Sequence, residues 1–348
     1  MIYFNNDYSE GCHLKILEAL QKTNFEQTPG YGMDGYCAQA AQRIRQLCGD
    51  DSLAVHFLVG GTQTNLTVID AALRPHQGVL CAASGHIHVH ETGAVEATGH
   101  KVLTLPSNDG KITAAQVRDV IRAHRSDDSM EHTVQPKMVY ISNPSELGTI
   151  YSKTELEALY QVCHQNGLYL FMDGARLGYG LTANGNDLTM EHIAKLCDVF
   201  YIGGTKVGAL FGEAVVIKNP MLAEDFRYLI KQHGGMLAKG RLLGLQFDTL
   251  FADNLYFDIA RNANLLADRL RETLQELGHP LLVEGITNQV FAILPDSLLE
   301  KLAKEISFTE QQRVDDTHRA VRFCTSWATT PEQMDALCGL LKNLSCQP

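Results

Sequence analysis

The sequence predicts an α/β fold: a large unit built on a mostly parallel sheet with helices on both faces, followed by a smaller C-terminal α+β unit. Two observations carry this. Short apolar runs alternate with amphipathic segments through the first two thirds of the chain, the pattern of strands joined by helical crossovers. Beyond about residue 245 the alternation gives way to a long helical stretch and then to mixed short elements. We therefore expect a large domain over residues 1–245 and a small one over 246–348.

The expected strands are 53–59, 78–83, 101–105, 137–142, 168–173, 198–203 and 213–218, each a short apolar run bounded by polar or turn-forming residues. GGTQTN at 60–65 opens a helix. ITAAQVRDVIRAHR at 112–125 and the segment 153–166 are amphipathic, and the second starts with Ser152 and Glu155 at capping-box spacing. HETGAVEATG reads as a helix rather than a strand. In the C-terminal part a helical stretch runs to about 277, then VFAIL, LLEKLAKE, AVRFCT and a closing helix in PEQMDALCGLLKNL.

Composition narrows the function. With 348 residues, 45% apolar and 20% charged, the chain can bury a large core. A net charge of −11 argues against non-specific binding to nucleic acid or anionic membrane. No apolar run is long enough for a membrane span, and MIYFNNDYSEG lacks the basic start and apolar stretch of a signal peptide. Nine cysteines without a C-x-x-C pair suggest reduced, mostly buried thiols, and so a cytoplasmic protein.

In open parallel sheets ligands bind beyond the carboxyl ends of the strands, so the residues just past each strand matter most. After the first long strand comes GGTQTN. Its backbone N–H groups at a helix start, with the Thr62 hydroxyl, can hold a phosphate, although the motif is neither a dinucleotide fingerprint nor a P-loop. After LYLFM comes DGARLG, with Asp173 at the strand end and Arg176 three residues on; an Asp there is often only a helix cap. After VFYIGGT comes Lys206, a lone lysine at the edge of buried structure, where an ammonium must be paired, neutralised or chemically engaged. Phosphate loop, carboxylate and lysine, in that order, are what a pyridoxal phosphate enzyme requires: a phosphate site, a partner for the pyridine nitrogen and a Schiff-base lysine.

His86, His88 and His90 admit three readings. Alternate spacing on a strand suits a metal site. One buried and two exposed histidines is the plain reading, and an imidazole laid against a cofactor ring is the third. We favour the third, for His86, and expect no metal.

These segments resemble the low-specificity L-threonine aldolase family, a branch of the fold-type-I pyridoxal phosphate enzymes, over almost the whole chain. FLVGGTQTNL resembles the family's phosphate segment, which implies Gly61 and Thr62 at the phosphate. GHIHVHETGA resembles the segment whose histidine precedes a glutamate by five, which implies His86 as the ring-stacking histidine. LFMDGARLGYGL is similar to the Asp-Gly-Ala-Arg segment, implying Asp173 at the pyridine nitrogen and Arg176 near cofactor and substrate carboxylate. GGTKVGALFGEAVV resembles the Schiff-base segment with Lys206, and AVRFCTSW the segment whose arginine, here Arg322, binds the substrate carboxylate. YGMDG resembles an interfacial Tyr-Gly loop, which makes Tyr31 a substrate-side residue donated across a dimer.

The sequence departs from the family twice. FNNDY stands where Arg-Ser-Asp-Thr is common, keeping Asp7 and leaving Asn6 as the substrate-side residue. NPSELGT stands where a Thr-His-Asn stretch often supplies a second histidine, with Ser145 in its place. The resemblance implies a lyase that cleaves L-threonine, L-allo-threonine or related L-β-hydroxy-α-amino acids to glycine and an aldehyde. Lys206, His86 and Asp173 would be the catalytic residues, in a homodimer or homotetramer. The alternatives are another pyridoxal phosphate lyase or aminotransferase of this fold, a silent binding member of it, and a metal-dependent hydrolase built on the histidine cluster.

Overall fold

The computed structural model describes residues 1–345. Its strands, in chain order, are β1 (Ile2–Tyr3), β2 (Ala54–Leu58), β3 (Gln77–Ala82), β4 (Lys101–Leu105), β5 (Gln135–Ser142), β6 (Tyr169–Asp173), β7 (Val199–Gly203), β8 (Glu213–Ile217), β9 (Gln289–Pro295), β10 (Ile306–Ser307), β11 (Thr309–Arg313) and β12 (His318–Cys324). The seven expected strands become one sheet in the order β2-β8-β7-β6-β5-β3-β4. Only β8 runs against its neighbours; the other pairings are parallel. Every residue of β3, β7 and β8 is buried, as expected of a sheet covered on both faces. Two apolar clusters provide that cover, one holding Leu170, Met172 and Phe200, the other Tyr140, Phe171 and Tyr201. Residues that alternate along a strand thus separate onto opposite faces.

Local signals set the helix ends. Lys153–Asn166 begins with the expected capping box: the Ser152 hydroxyl accepts from the Glu155 N–H at 3.2 Å, and Glu155 accepts from the Ser152 N–H at 2.8 Å. It stops at Gly167, whose φ of +70° suits glycine.

One expectation needs correction here. The helical stretch to 277 is two helices, Arg241–Phe251 and Leu255–Glu276. Asp253 and Asn254 break it with φ of +50° and +63°, a backbone state that short polar side chains tolerate best. The break lets the Tyr256 hydroxyl reach the Gly203 carbonyl at 2.9 Å. The expected domain division at 245/246 falls inside the first of these helices. The third apolar core gathers residues from Leu266 to Leu341 together with Phe4, and in it β9 pairs with β12 and β12 with β11. Phe4 arrives because β1 pairs with β10, so the N-terminus is packed into the C-terminal core. No helix among the described residues is long and apolar enough to cross a membrane.

One close approach positions the site. The Gly203 N–H donates to the Gly174 carbonyl at 2.9 Å. A Cβ on Gly174 would lie 2.0 Å from the Tyr201 carbonyl oxygen, and one on Gly203 would lie 2.1 Å from that of Ala175. Glycine at both positions lets the turns carrying Asp173 and Lys206 run against each other.

Candidate active site

A cavity of ≈ 350 Å³ opens at the carboxyl edge of the sheet. Gly61 and Thr62 come after β2, His86 after β3, Glu146 after β5 and Lys206 after β7, while Asp173 ends β6. Glu213, the first residue of β8, joins them because β8 is antiparallel and begins where its neighbours end.

At Gly60 the chain is extended, and the helix Gly61–Ala72 starts at the next residue. Its first N–H groups have no intrahelical partner and face the cavity with the Thr62 side chain, a ready anion site. A Cβ on Gly61 would come within 3.1 Å of the Tyr201 hydroxyl, so glycine keeps this rim open.

Asp173 is held from three directions. Its Oδ2 accepts from the Tyr140 hydroxyl at 2.5 Å and from Asn65 Nδ2 at 3.2 Å, while its Oδ1 accepts from the Ala175 N–H at 2.9 Å. The last bond is the local capping contact that an Asp in this position often makes; the other two come from the neighbouring strand β5 and from the helix Gly61–Ala72, and they fix the carboxylate. A carboxylate has about four acceptor sites, so one more donor can be accommodated.

Burial lowers the pKa of Lys206, and the neighbouring Arg176 charge lowers it further, against the opposing pull of Asp7, Asp173 and Glu213. Burial likewise raises the Glu213 carboxyl despite the nearby lysine. Glu213 accepts from the Thr205 hydroxyl at 3.0 Å and from the Gly204 N–H at 3.3 Å, which fixes the turn that presents Lys206.

The three histidines lie around the short helix His86–Val89, so the alternating strand geometry of a metal site is not formed. Among the described residues, no group of three or more His, Cys, Asp or Glu side chains could hold a metal ion. His86 lines the cavity, and its Nδ1 pairs at 2.7 Å with Oε1 of Glu91, whose side chain is fully buried. Asn65 Nδ2 donates to the same Glu91 oxygen at 2.7 Å, which links the histidine to the Asp173 network.

The substrate-side residues are arranged differently from the expectation. Arg176 lines the cavity, but its Nε and Nη2 donate to the Asp7 carboxylate at 2.7 and 2.9 Å. Asp7 is fully buried and also accepts from Asn288. Burial alone would raise its pKa, yet Arg176 and Lys206 hold it below the usual range. Arg322 lies outside the cavity lining; its Nη1 donates to Gln289 and its Nη2 to the Asn5 carbonyl, while its Nε is buried without a partner among the described residues. Asn6 turns into its own loop, accepting from the Tyr8 N–H and the Ser9 hydroxyl, and Tyr8 takes a place in the cavity wall. Tyr31 lines a separate cavity of ≈ 390 Å³. Ser145 closes its own loop through Thr149 and the Asp109 carbonyl.

Sequence reasoning missed Glu213, because it looked past the end of each strand, and β8 is the strand that must be read from its start. It missed Glu146 because attention fell on the serine before it. Tyr140 and Asn65 carry no motif.

The donor set fits pyridoxal 5′-phosphate. The helix start and Thr62 can take the phosphate, Asp173 keeps acceptor capacity for the ring nitrogen, and Lys206 offers an amine whose proton affinity is already reduced.

The comparisons with known proteins agree with this chemistry. The beta-eliminating lyase family matches residues 13–297. A low specificity L-threonine aldolase from a Pseudomonas species is 32% identical over 302 residues, covering 86% of each chain, and the enzyme of that name from Pseudomonas aeruginosa matches equally. A solved structure described as Leishmania major threonine aldolase superposes with a TM-score of 0.97 at 44% identity, covering 99% of this chain and 100% of that one. An aspartate aminotransferase of Thermus thermophilus, at 17% identity and a TM-score of 0.73 over 99% of this chain and 91% of its own, shares the fold. A carboxylate-anchored site at the edge of a fold-type-I sheet and a family match across most of the length thus meet in one conclusion: the chain belongs to the beta-eliminating lyase family.

Proposed function

We propose that the chain is a pyridoxal 5′-phosphate-dependent aldehyde-lyase that cleaves L-threonine, L-allo-threonine and related L-β-hydroxy-α-amino acids to glycine and an aldehyde. The observation that carries this is the single cavity shared by Lys206, Asp173, Arg176 and the helix start at Gly61–Thr62. The relatives named as threonine aldolases support the same reading.

When bound, the cofactor supplies an electron sink for the pair that the broken Cα–Cβ bond leaves on Cα. The residues do the rest. The helix start and Thr62 would hold the phosphate, and Lys206 would hold the cofactor through an amine that burial keeps from binding its proton tightly. Asp173, locked by Tyr140 and Asn65, keeps a proton at the ring nitrogen by charge. Arg176, which lines the cavity and is held rigid by Asp7, would offer its guanidinium to the substrate carboxylate, and such a clamp would fix which face of Cα is presented; Arg322, held outside the cavity lining by Gln289 and the Asn5 carbonyl, is the second candidate. His86, which lines the cavity and is oriented by Glu91, would be the residue to lie against the ring.

With the holoenzyme, L-threonine should yield glycine and acetaldehyde, and D-threonine should yield neither. If L-β-hydroxy amino acids give no aldehyde while alanine or cysteine is racemised, transaminated or β-eliminated, the aldolase reading is wrong.

Assembly is read from Tyr31. Its backbone has φ of +59°, its ring sits under the Lys231 ammonium at 5.1 Å, and the residue is about half exposed and outside the lining of the cavity that holds Lys206. We read this loop as the part that a partner copy donates to the site in a homodimer or homotetramer. A fully active monomer in sedimentation velocity would refute it. The eight cysteines among the described residues are free and buried, as thiols in a reducing compartment are, which supports a cytoplasmic location that cell fractionation can check.

A further inference from the structure

Five carboxylates cluster around Lys206 and His86. Glu91 is tied to His86 and Asn65 through Oε1, its Oε2 is sealed in the interior, and the residue does not line the cavity. Three others already accept from protein donors on both oxygens. Asp173 accepts on both oxygens, Glu213 accepts from Thr205 and Gly204, and Asp7 accepts from Arg176 on both oxygens and from Asn288. Glu146 differs. Its Oε1 accepts from the His86 N–H at 2.8 Å and from the Ser142 hydroxyl at 2.6 Å, while no other residue among those described donates to its Oε2. The side chain lines the same cavity as Lys206. One oxygen is anchored and the other is open, which is the geometry a general base requires. Burial raises its proton affinity above the usual carboxylate range, with the Asp173 charge adding to the effect, so it matches a base for neutral pH better than an ordinary glutamate does. Ser145, which stands where a second histidine was expected, has its hydroxyl tied to Thr149 and Asp109 and lies outside the cavity lining.

We propose that Glu146 is a catalytic residue that takes the proton of the substrate's β-hydroxyl, an inference that rests on the aldol-cleavage reading above. The carboxylate accepts the hydroxyl proton, the O–H pair becomes the second bond of the aldehyde carbonyl, and the Cα–Cβ bond breaks. Its pair stays with the Cα fragment until a proton arrives there. One proton leaves oxygen and one reaches carbon, so the products are glycine and aldehyde with no oxidant or reductant.

The test compares two reactions of the holoenzyme. Cleavage of L-threonine or phenylserine needs a base at the β-hydroxyl, whereas exchange of a glycine α-proton in D₂O, monitored by NMR, does not. In Glu146→Gln, which can keep the bonds from Ser142 and the His86 N–H, cleavage kcat should fall about 10²- to 10⁴-fold. Glycine exchange and the visible absorption of bound cofactor should stay close to wild type. Glu146→Asp should recover part of the cleavage rate, because it restores a carboxylate. Near-wild-type cleavage in Glu146→Gln overturns the proposal and points to His86 or a bound water as the base. A parallel loss of cleavage and exchange, or of cofactor absorption, also overturns it and assigns Glu146 to positioning His86. Absence of cleavage in the wild type would instead bring down the aldolase reading itself.

Discussion

Lys206→Ala is expected to lower turnover of L-threonine by at least about 10³-fold, the scale seen when a covalent catalytic group is removed from a site that otherwise still binds. An attacking amine must be unprotonated, and a free lysine at neutral pH almost never is. Here burial strips water from the ammonium and the Arg176 charge repels it, both favouring the neutral amine. The reactive form is lost as pH falls through this lowered pKa, so attachment of the cofactor should weaken on the acid side. Asp7 and Asp173 oppose the effect, which keeps the amine from losing basicity altogether. Lys206→Arg should not rescue activity, because a guanidinium stays charged and is no nucleophile under these conditions. Borohydride reduction of the holoenzyme and then peptide mapping check the assignment directly. The label should sit on Lys206; a label on any other lysine would overturn it.

Asp173→Asn carries the second largest expected loss, about 10²- to 10³-fold in kcat, the range for removing one well-placed electrostatic partner. Three donors converge on this carboxylate: the Tyr140 hydroxyl, Asn65 Nδ2 and the Ala175 N–H. An amide has one acceptor oxygen, so at least one of them would meet the new NH₂ group instead. That should destabilise the fold by about 1–3 kcal/mol, the usual consequence of leaving a buried donor unmatched. The variant should still fold and retain cofactor through Lys206 and the helix start, as its visible spectrum can verify, while the neutral amide no longer holds a proton at the ring nitrogen by charge. Near-wild-type turnover would show that Asp173 is only the anchor of a hydrogen-bond network.

These two residues were legible from sequence because the signals around them are local. An apolar run such as LYLFMD specifies a buried strand within a few residues, and the residue that ends it stands at the ligand edge by the geometry of parallel sheets. The capping box at Ser152 and Glu155 fixed a helix start in the same local way. Partners distant in sequence could not be read so. Asp7 meets Arg176 across 169 positions, and nothing in FNNDY announces that pairing. Glu213 depended on the direction of β8, which apolar pattern does not encode. β11 reads TEQQR, four of its five residues exposed, and lacks the alternation that would mark it as a strand.

The N-terminal segment acts as a ruler. The carbonyl of Asn5 holds Arg322, and the carboxylate of Asp7 holds Arg176. Two residues of chain reach at most about 7 Å, so this short stretch indexes one guanidinium against the other. The spacing of the two candidate carboxylate clamps is therefore written in a chain end that takes no part in the central sheet. Loss of the single residue Asn6 would shift both anchors at once, detuning the site while the sheet beneath it kept its register.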